Sequence, residues 1–188
     1  MTYELKTLLT SMNICIFCSA ADVEEKYKFA AAEFSTLVAE RGHTLVWGGS
    51  NVGLMEVIAS AAQQAGGKII GISIEHFRKN LREDADEMIV AKDLAERKAL
   101  LLKNCDAIVA LVGGTGTLDE VTEMIELKKY EVHNKPVVFL NTDGFYDGLK
   151  QLFGRMQKEG FLFFPIETIV HFADTPEEAM AYIEKSAA

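Results

Sequence analysis

The stretch 106–130, DAIVALVGGTGTLDEVTEMIELKKY, constrains what this chain can fold into more than any other part of it. Its opening run, 107–112, is apolar, rich in β-branched residues and too short for most helices, so it reads as a buried strand. Gly113, Gly114, Thr115, Gly116 and Thr117 break that run, and from Leu118 onward apolar residues return at helical spacing through Val121, Met124 and Ile125. Strand, glycine turn and helix in that order present free backbone N–H groups and the positive end of a helix dipole to an anion. The glycines let the backbone approach a phosphate closely, and Thr117 is expected both to cap the helix and to donate its hydroxyl. Asp119 and Glu120 are expected in the first turn, beside the anion. An acid at a helix start can simply offset the dipole. After a phosphate-type loop, a catalytic or ribose-binding role is the stronger reading.

The remaining chain alternates strands and helices around this unit. Strands are expected over 12–18, 43–47, 68–74, 87–90, 137–140 and 168–172, and helices over 23–41, 54–65, 93–104, 145–158 and 176–185. Asp22 and Asp93 are the expected caps of the first and third of those helices, and Gly42 the stop of the first. Such alternation means a mostly parallel sheet with helices on both faces, a three-layer α/β fold of the modified Rossmann kind. The 188 residues fit one domain, 1–188, with 1–11 as a polar leader. Ligands in such sheets bind at the carboxyl ends of strands, where both glycine loops, 48–53 and 113–117, fall. The segment 75–86, EHFRKNLREDAD, is polar and mixed in charge; it is expected to be a mobile loop on that same edge and to select substrate.

Several functions are disfavoured. A net charge of −9 argues against nucleic-acid and anionic-membrane partners, though a local loop field can still bind a small anion. No apolar run approaches membrane-spanning length and no secretory pattern opens the chain, so a cytoplasmic location is expected. Cys15 and Cys18 spell C-x-x-C, but three residues apart on a strand they point to opposite faces, and no second pair completes a zinc site. His43, His76, His133 and His171 are scattered without metal spacing. The 48–53 loop has P-loop glycine spacing, yet Leu54 and Met55 stand where Lys and Ser/Thr are required. The first strand ends in Cys-Ser-Ala-Ala rather than a dinucleotide fingerprint, which leaves hydride transfer a weak reading. Arg97 and Lys98 are cations eight or nine residues before the strand that leads into the central loop, and so are candidates for anion contact.

Glu96-Arg97-Lys98, Gly113-Gly114-Thr115-Gly116-Thr117-x-x-Glu120, Gly48-Gly49 with Gly53-Leu54-Met55, and Asn141-x-Asp143-Gly144-Phe145-Tyr146 together resemble the LOG family. Its members are phosphoribohydrolases that release cytokinin-type bases from their nucleotides, and many relatives carry the label "lysine decarboxylase". The resemblance runs from about Ile14 to Phe161. It implies a homodimer that hydrolyses a nucleoside 5′-monophosphate to base and ribose 5-phosphate, with Arg97 and Glu120 in the catalytic positions. By the same likeness Ser19, Gly48, Gly49, Lys98 and residues 113–117 hold substrate. The chain departs from the family pattern at Val112, Glu56, Ile74 and the Ser19-Ala20-Ala21 turn. Lys79 and Glu126 stand where relatives often have an acid and a threonine near the substrate.

The chemistry also fits the residues without the likeness. Cleaving an N-glycosidic bond builds positive charge on the ribose, which a carboxylate such as Glu120 can stabilise while taking a proton from water. Arg97 can counter the phosphate or the charge on the departing base. No step needs a metal or redox cofactor. The alternative is a nucleotide or cofactor carrier or sensor on the same fold. The helix 118–130 carries apolar residues on more than one side, which points independently to a homodimer unless helix 94–102 covers the surplus.

Overall fold

The computed structural model describes residues 10–186; the expected leader therefore lies outside the described residues except for Thr10 and Ser11. Seven parallel strands form one sheet in the order β4-β3-β2-β1-β5-β6-β7. They are β1 (Asn13–Phe17), β2 (Thr44–Trp47), β3 (Ile69–Ile74), β4 (Glu87–Ala91), β5 (Ala107–Ala110), β6 (Val137–Leu140) and β7 (His171–Ala173). The helices are α1 (Glu25–Glu40), α2 (Gly53–Gln64), α3 (Leu94–Lys103), α4 (Thr115–Lys129), α5 (Asp147–Lys158) and α6 (Pro176–Ser186). The central strands are buried on both faces and read as continuous apolar runs, as a covered parallel sheet requires.

Two cores sandwich the sheet. On one face Phe34 and Val38 of α1, Leu54 and Ile58 of α2, and Met180 and Ile183 of α6 pack together. On the other, Leu101 of α3, Val121 and Met124 of α4, and Phe153 of α5 do so. Cys15 belongs to the second core and Cys18 to the first, and all three cysteines are free and buried, so the C-x-x-C spacing is strand alternation and nothing more. The strand order reverses about β1, which has β2 on one side and β5 on the other. That switch point opens a crevice at the carboxyl ends of β1, β2 and β5.

Three expectations change. Asp22 does not cap α1: Glu24 precedes the helix without a side-chain cap, and Asp22 pairs with Lys28 at 2.7 Å. The segment 75–86 is not an unanchored loop. Residues Glu75–Asn80 form a 3-10 helix, Leu81 bridges to Ser50, and Arg82 reaches back to Asn51, Ser60 and Gln63 on and before α2. A charged sequence with little apolar material found its anchor in hydrogen bonds, which hydrophobic patterning does not register. The expected strand 168–172 divides into a 3-10 turn, Ile166–Thr168, and β7.

Candidate active site

The site starts with a helix cap. Asp93 accepts a hydrogen bond from the Glu96 amide at 2.8 Å, as the sequence predicts, and so fixes where α3 begins. One turn in, α3 delivers Arg97, buried to 8% exposure, to the mouth of the crevice. Its Nε donates to the Ile72 carbonyl at 2.9 Å and its Nη1 to Glu120 Oε1 at 2.5 Å. The guanidinium lies against Gly48, where a Cβ would collide with Nη2, so any larger residue there has to displace the guanidinium from its place. Lys98, beside it, is held by Glu123 and, at 3.1 Å, by Asp119. Two adjacent cations of α3 thus clasp carboxylates of α4.

The helix carrying those carboxylates begins earlier than the sequence suggests. Gly114 is the N-cap residue of α4 and makes no side-chain cap, so Thr117 is not the cap. Thr117 is buried inside the first turn, packed where a Cβ on Gly113 would strike its hydroxyl. Asp119 and Glu120 consequently fall in the second turn, and no acid occupies the first. The threonines and glycine that open α4 continue the helix, which an apolar-period criterion cannot detect. The consequence is favourable to anion binding: the amides of Thr115, Gly116 and Thr117 are unpaired first-turn donors with no carboxylate directly among them.

A cavity of about 580 Å³ joins these parts. Ser19 from the end of β1, Gly48 from the end of β2, Arg97 and Lys98, Gly114 to Thr117, and Glu120 all line it. Ser19 Oγ accepts from the Ala21 amide at 3.0 Å, leaving its hydroxyl proton free to donate. Gly49 and Gly113 do not line it: Gly49 faces Ser73 and Met88, and Gly113 faces Thr117. Lys79 and Glu126 also stand outside. Glu126 pairs with Lys129 at 2.8 Å, and the cavity is approached from its 3-10 helix by Phe77 and Asn80 instead. Sequence reading missed the apolar wall of Val52, Met55, Phe77 and Leu94. A lone aromatic inside a charged segment was the available signal for Phe77. Its volume and its mix of apolar wall and few polar groups are those of a small-molecule pocket.

The electrostatics are uneven. Burial pushes the Glu120 carboxyl above its ordinary value of 4.5, and Arg97 opposes this without cancelling it. The Glu123 hydrogen bond, with Asp119 behind it, raises Lys98 above 10.5, so its ammonium stays charged. Burial also raises Cys18 strongly and keeps that lining thiol protonated and inert. Among the described residues no group of three or more His, Cys, Asp or Glu side chains could hold a metal ion. The arrangement offers three things: amide donors for an anion, a carboxylate whose affinity for a proton is raised by burial, and a fixed guanidinium beside it.

Comparison with known proteins gives the family and the fold. Residues 55–183 match the family model described as "possible lysine decarboxylase". Over 174 residues the chain is 35% identical to a cytokinin riboside 5′-monophosphate phosphoribohydrolase of Arabidopsis thaliana, covering 91% of this chain and 82% of that protein. It is 35% identical over 175 residues to the enzyme of that name from Oryza sativa subsp. japonica, covering 92% and 72%. Among solved structures, the molybdenum cofactor binding protein from Rippkaea orientalis superposes with a TM-score of 0.76 at 25% identity, over 95% of this chain and 98% of that one. The Moco carrier protein of Chlamydomonas reinhardtii, at 0.72 and 24% over 94% and 97%, shares the fold. With a family model spanning most of its length and relatives matched along nearly all of it, the chain belongs to the "possible lysine decarboxylase" family, that of the cytokinin riboside 5′-monophosphate phosphoribohydrolases.

Proposed function

We propose that the protein hydrolyses the N-glycosidic bond of a nucleoside 5′-monophosphate, AMP or a cytokinin-type nucleotide, giving free base and ribose 5-phosphate. One observation carries the reading: a buried Arg97–Glu120 pair stands in the wall of a cavity that also holds the free amides of the α4 N-terminus. The phosphate docks on the amides of Thr115, Gly116 and Thr117, with Ser19 and Lys98 in reach of the same space. Binding energy from that remote group then orients the anomeric carbon toward Glu120. As the C–N bond breaks, its electron pair leaves with the base and positive charge grows on the ribose. Glu120 takes a proton from the attacking water, whose oxygen forms the new bond to carbon; a proton then reaches the departing nitrogen through solvent and Glu120 gives up its own, restoring the carboxylate. Arg97 steadies the carboxylate and the charge on the departing base. Because Arg97 already spends one N–H on Glu120 and another on Ile72, it acts from a fixed position rather than by swinging in. On this reading the protein works in the cytoplasm as a homodimer. The test is turnover against a panel of purine and pyrimidine monophosphates. Release of free base with many turnovers per site supports the reading, and none from any member ends it.

A second reading, a nucleotide or cofactor carrier, draws on the likeness to the Rippkaea orientalis protein named for binding molybdenum cofactor. It requires tight stoichiometric binding without hydrolysis, and the same panel separates the two.

A further inference from the structure

The motif 141–146 lies outside the cavity and has no part in the chemistry above, yet the chain spends unusual geometry on it. Asp143 and Gly144 are consecutive left-handed residues, with φ of 54° and 71°. Buried Asn141 holds the turn: its backbone N–H donates to the Ala173 carbonyl at 2.7 Å, its Nδ2 donates to Asp147 at 2.9 Å, and its Oδ1 accepts from the Tyr146 amide at 2.7 Å. The turn drives the Tyr146 ring into the core against Phe139 and Phe145, leaving it 3% exposed. At the far end of that ring the hydroxyl donates to the Leu111 carbonyl at 2.6 Å. Burial raises the phenol well above 10, so it remains a donor throughout the physiological range.

Leu111 and Val112 are the link between β5 and the glycine turn. The Leu111 amide donates to the Phe17 carbonyl at 2.9 Å, and the Val112 carbonyl accepts from the Ser19 amide at 3.1 Å. Both contacts come from the backbone of the first strand's exit. The Tyr146 hydroxyl adds a side-chain bond from the turn after β6, fixing the peptide plane that sets the direction of the chain into 113–117. Amide donors lose strength steeply when misaligned, so the aim of Thr115 to Thr117 depends on that plane. We infer that Tyr146 is a positioning residue for the anion-binding turn, acting through the Leu111 carbonyl and touching no ligand itself. This rests on the reading that the α4 amides hold a phosphate, and not on hydrolysis.

The experiment is calorimetric titration of Tyr146→Phe with AMP, ribose 5-phosphate and adenosine. Removing one buried hydrogen bond and loosening the turn should weaken the two phosphate-bearing ligands by roughly five- to tenfold. Adenosine, which lacks the phosphate, should change by less than about twofold on the same grounds. Phe139→Leu is the control: it loosens the same ring's packing while leaving the hydroxyl, so it should lower the melting temperature and keep the AMP-to-adenosine ratio. A ratio unchanged in Tyr146→Phe, or equally reduced in Phe139→Leu, overturns the inference. Wild-type protein that fails to bind AMP and ribose 5-phosphate overturns it together with the phosphate site. Wild-type protein that binds AMP yet releases base from no member of the monophosphate panel defeats the hydrolase reading alone.

Discussion

Glu120 carries the proposed chemistry in a place that disfavours its charge. Burial raises its pKa above 4.5 and Arg97 only partly restores it, so the acid limb of the pH–rate profile should lie above that of an ordinary glutamate. Exchanging Arg97 for Met removes the opposing charge and should move the limb further up, which a kcat/KM profile across pH would show. It should also cost about 3–5 kcal/mol in urea unfolding near neutral pH, since a buried carboxylate loses its partner. The sign of the stability effect follows from the raised value. Protonated Glu120 is favoured by the fold, so its contribution is fully present below 4.5 and is lost as pH rises through the higher folded-state value. Glu120→Gln removes that dependence; it should bind AMP, yet lose at least about a hundredfold in turnover. A rate like the wild type's would remove Glu120 from the mechanism.

The strands and helices were largely legible because they are written in periodicity. β6 falls on 137–140 as read, and Asp93 caps α3 as read. What escaped was written in hydrogen bonds. Nothing in EHFRKNLREDAD announces that Arg82 will donate to three polar side chains around α2, or that Asp86 will accept from the Ile69 amide at 2.8 Å. The site was legible to the same degree: Arg97 and Glu120 were each singled out by the resemblance of their motifs, whereas their pairing, the helix start at Thr115 and the apolar wall needed the fold. The anchored segment makes distinct predictions. Arg82→Ala should lower stability by about 1–3 kcal/mol by orphaning its acceptors. Trypsin should then cut more readily at Arg78 and Lys79, a change visible in limited proteolysis. Because Phe77 lines the cavity and Lys79 does not, Phe77→Ala should raise KM and reorder the monophosphates by kcat/KM. Lys79→Glu should leave that ranking as it was, and a reordering would return the lysine to the site.

At the scale of the molecule, the alternation of strands and helices foretold the sheet, but how α4 uses its surplus apolar residues could not be read from one chain's pattern. Val121, Met124 and Ile125 are buried beneath it, and Leu118 packs partly against the same core. That absorbs much of the excess within the chain, as the alternative to a dimer required. The remainder sits at the ends of the α3–α4 pair: Leu94 is 52% exposed, and Tyr130 and Val132 are 70% and 64% exposed. Exposed side chains of this size lose about 1.5–3 kcal/mol each by staying in water, which gives a second copy a reason to cover them. Light scattering at micromolar concentration should therefore give twice the chain mass of 20.8 kDa. Charges introduced together, Tyr130→Glu with Val132→Glu, should bring the mass back to one chain without unfolding it, because neither residue is in either core. A single-chain mass for the unaltered protein would leave the dimer without support, and an unchanged double mass for the variant would move the interface away from the end of α4.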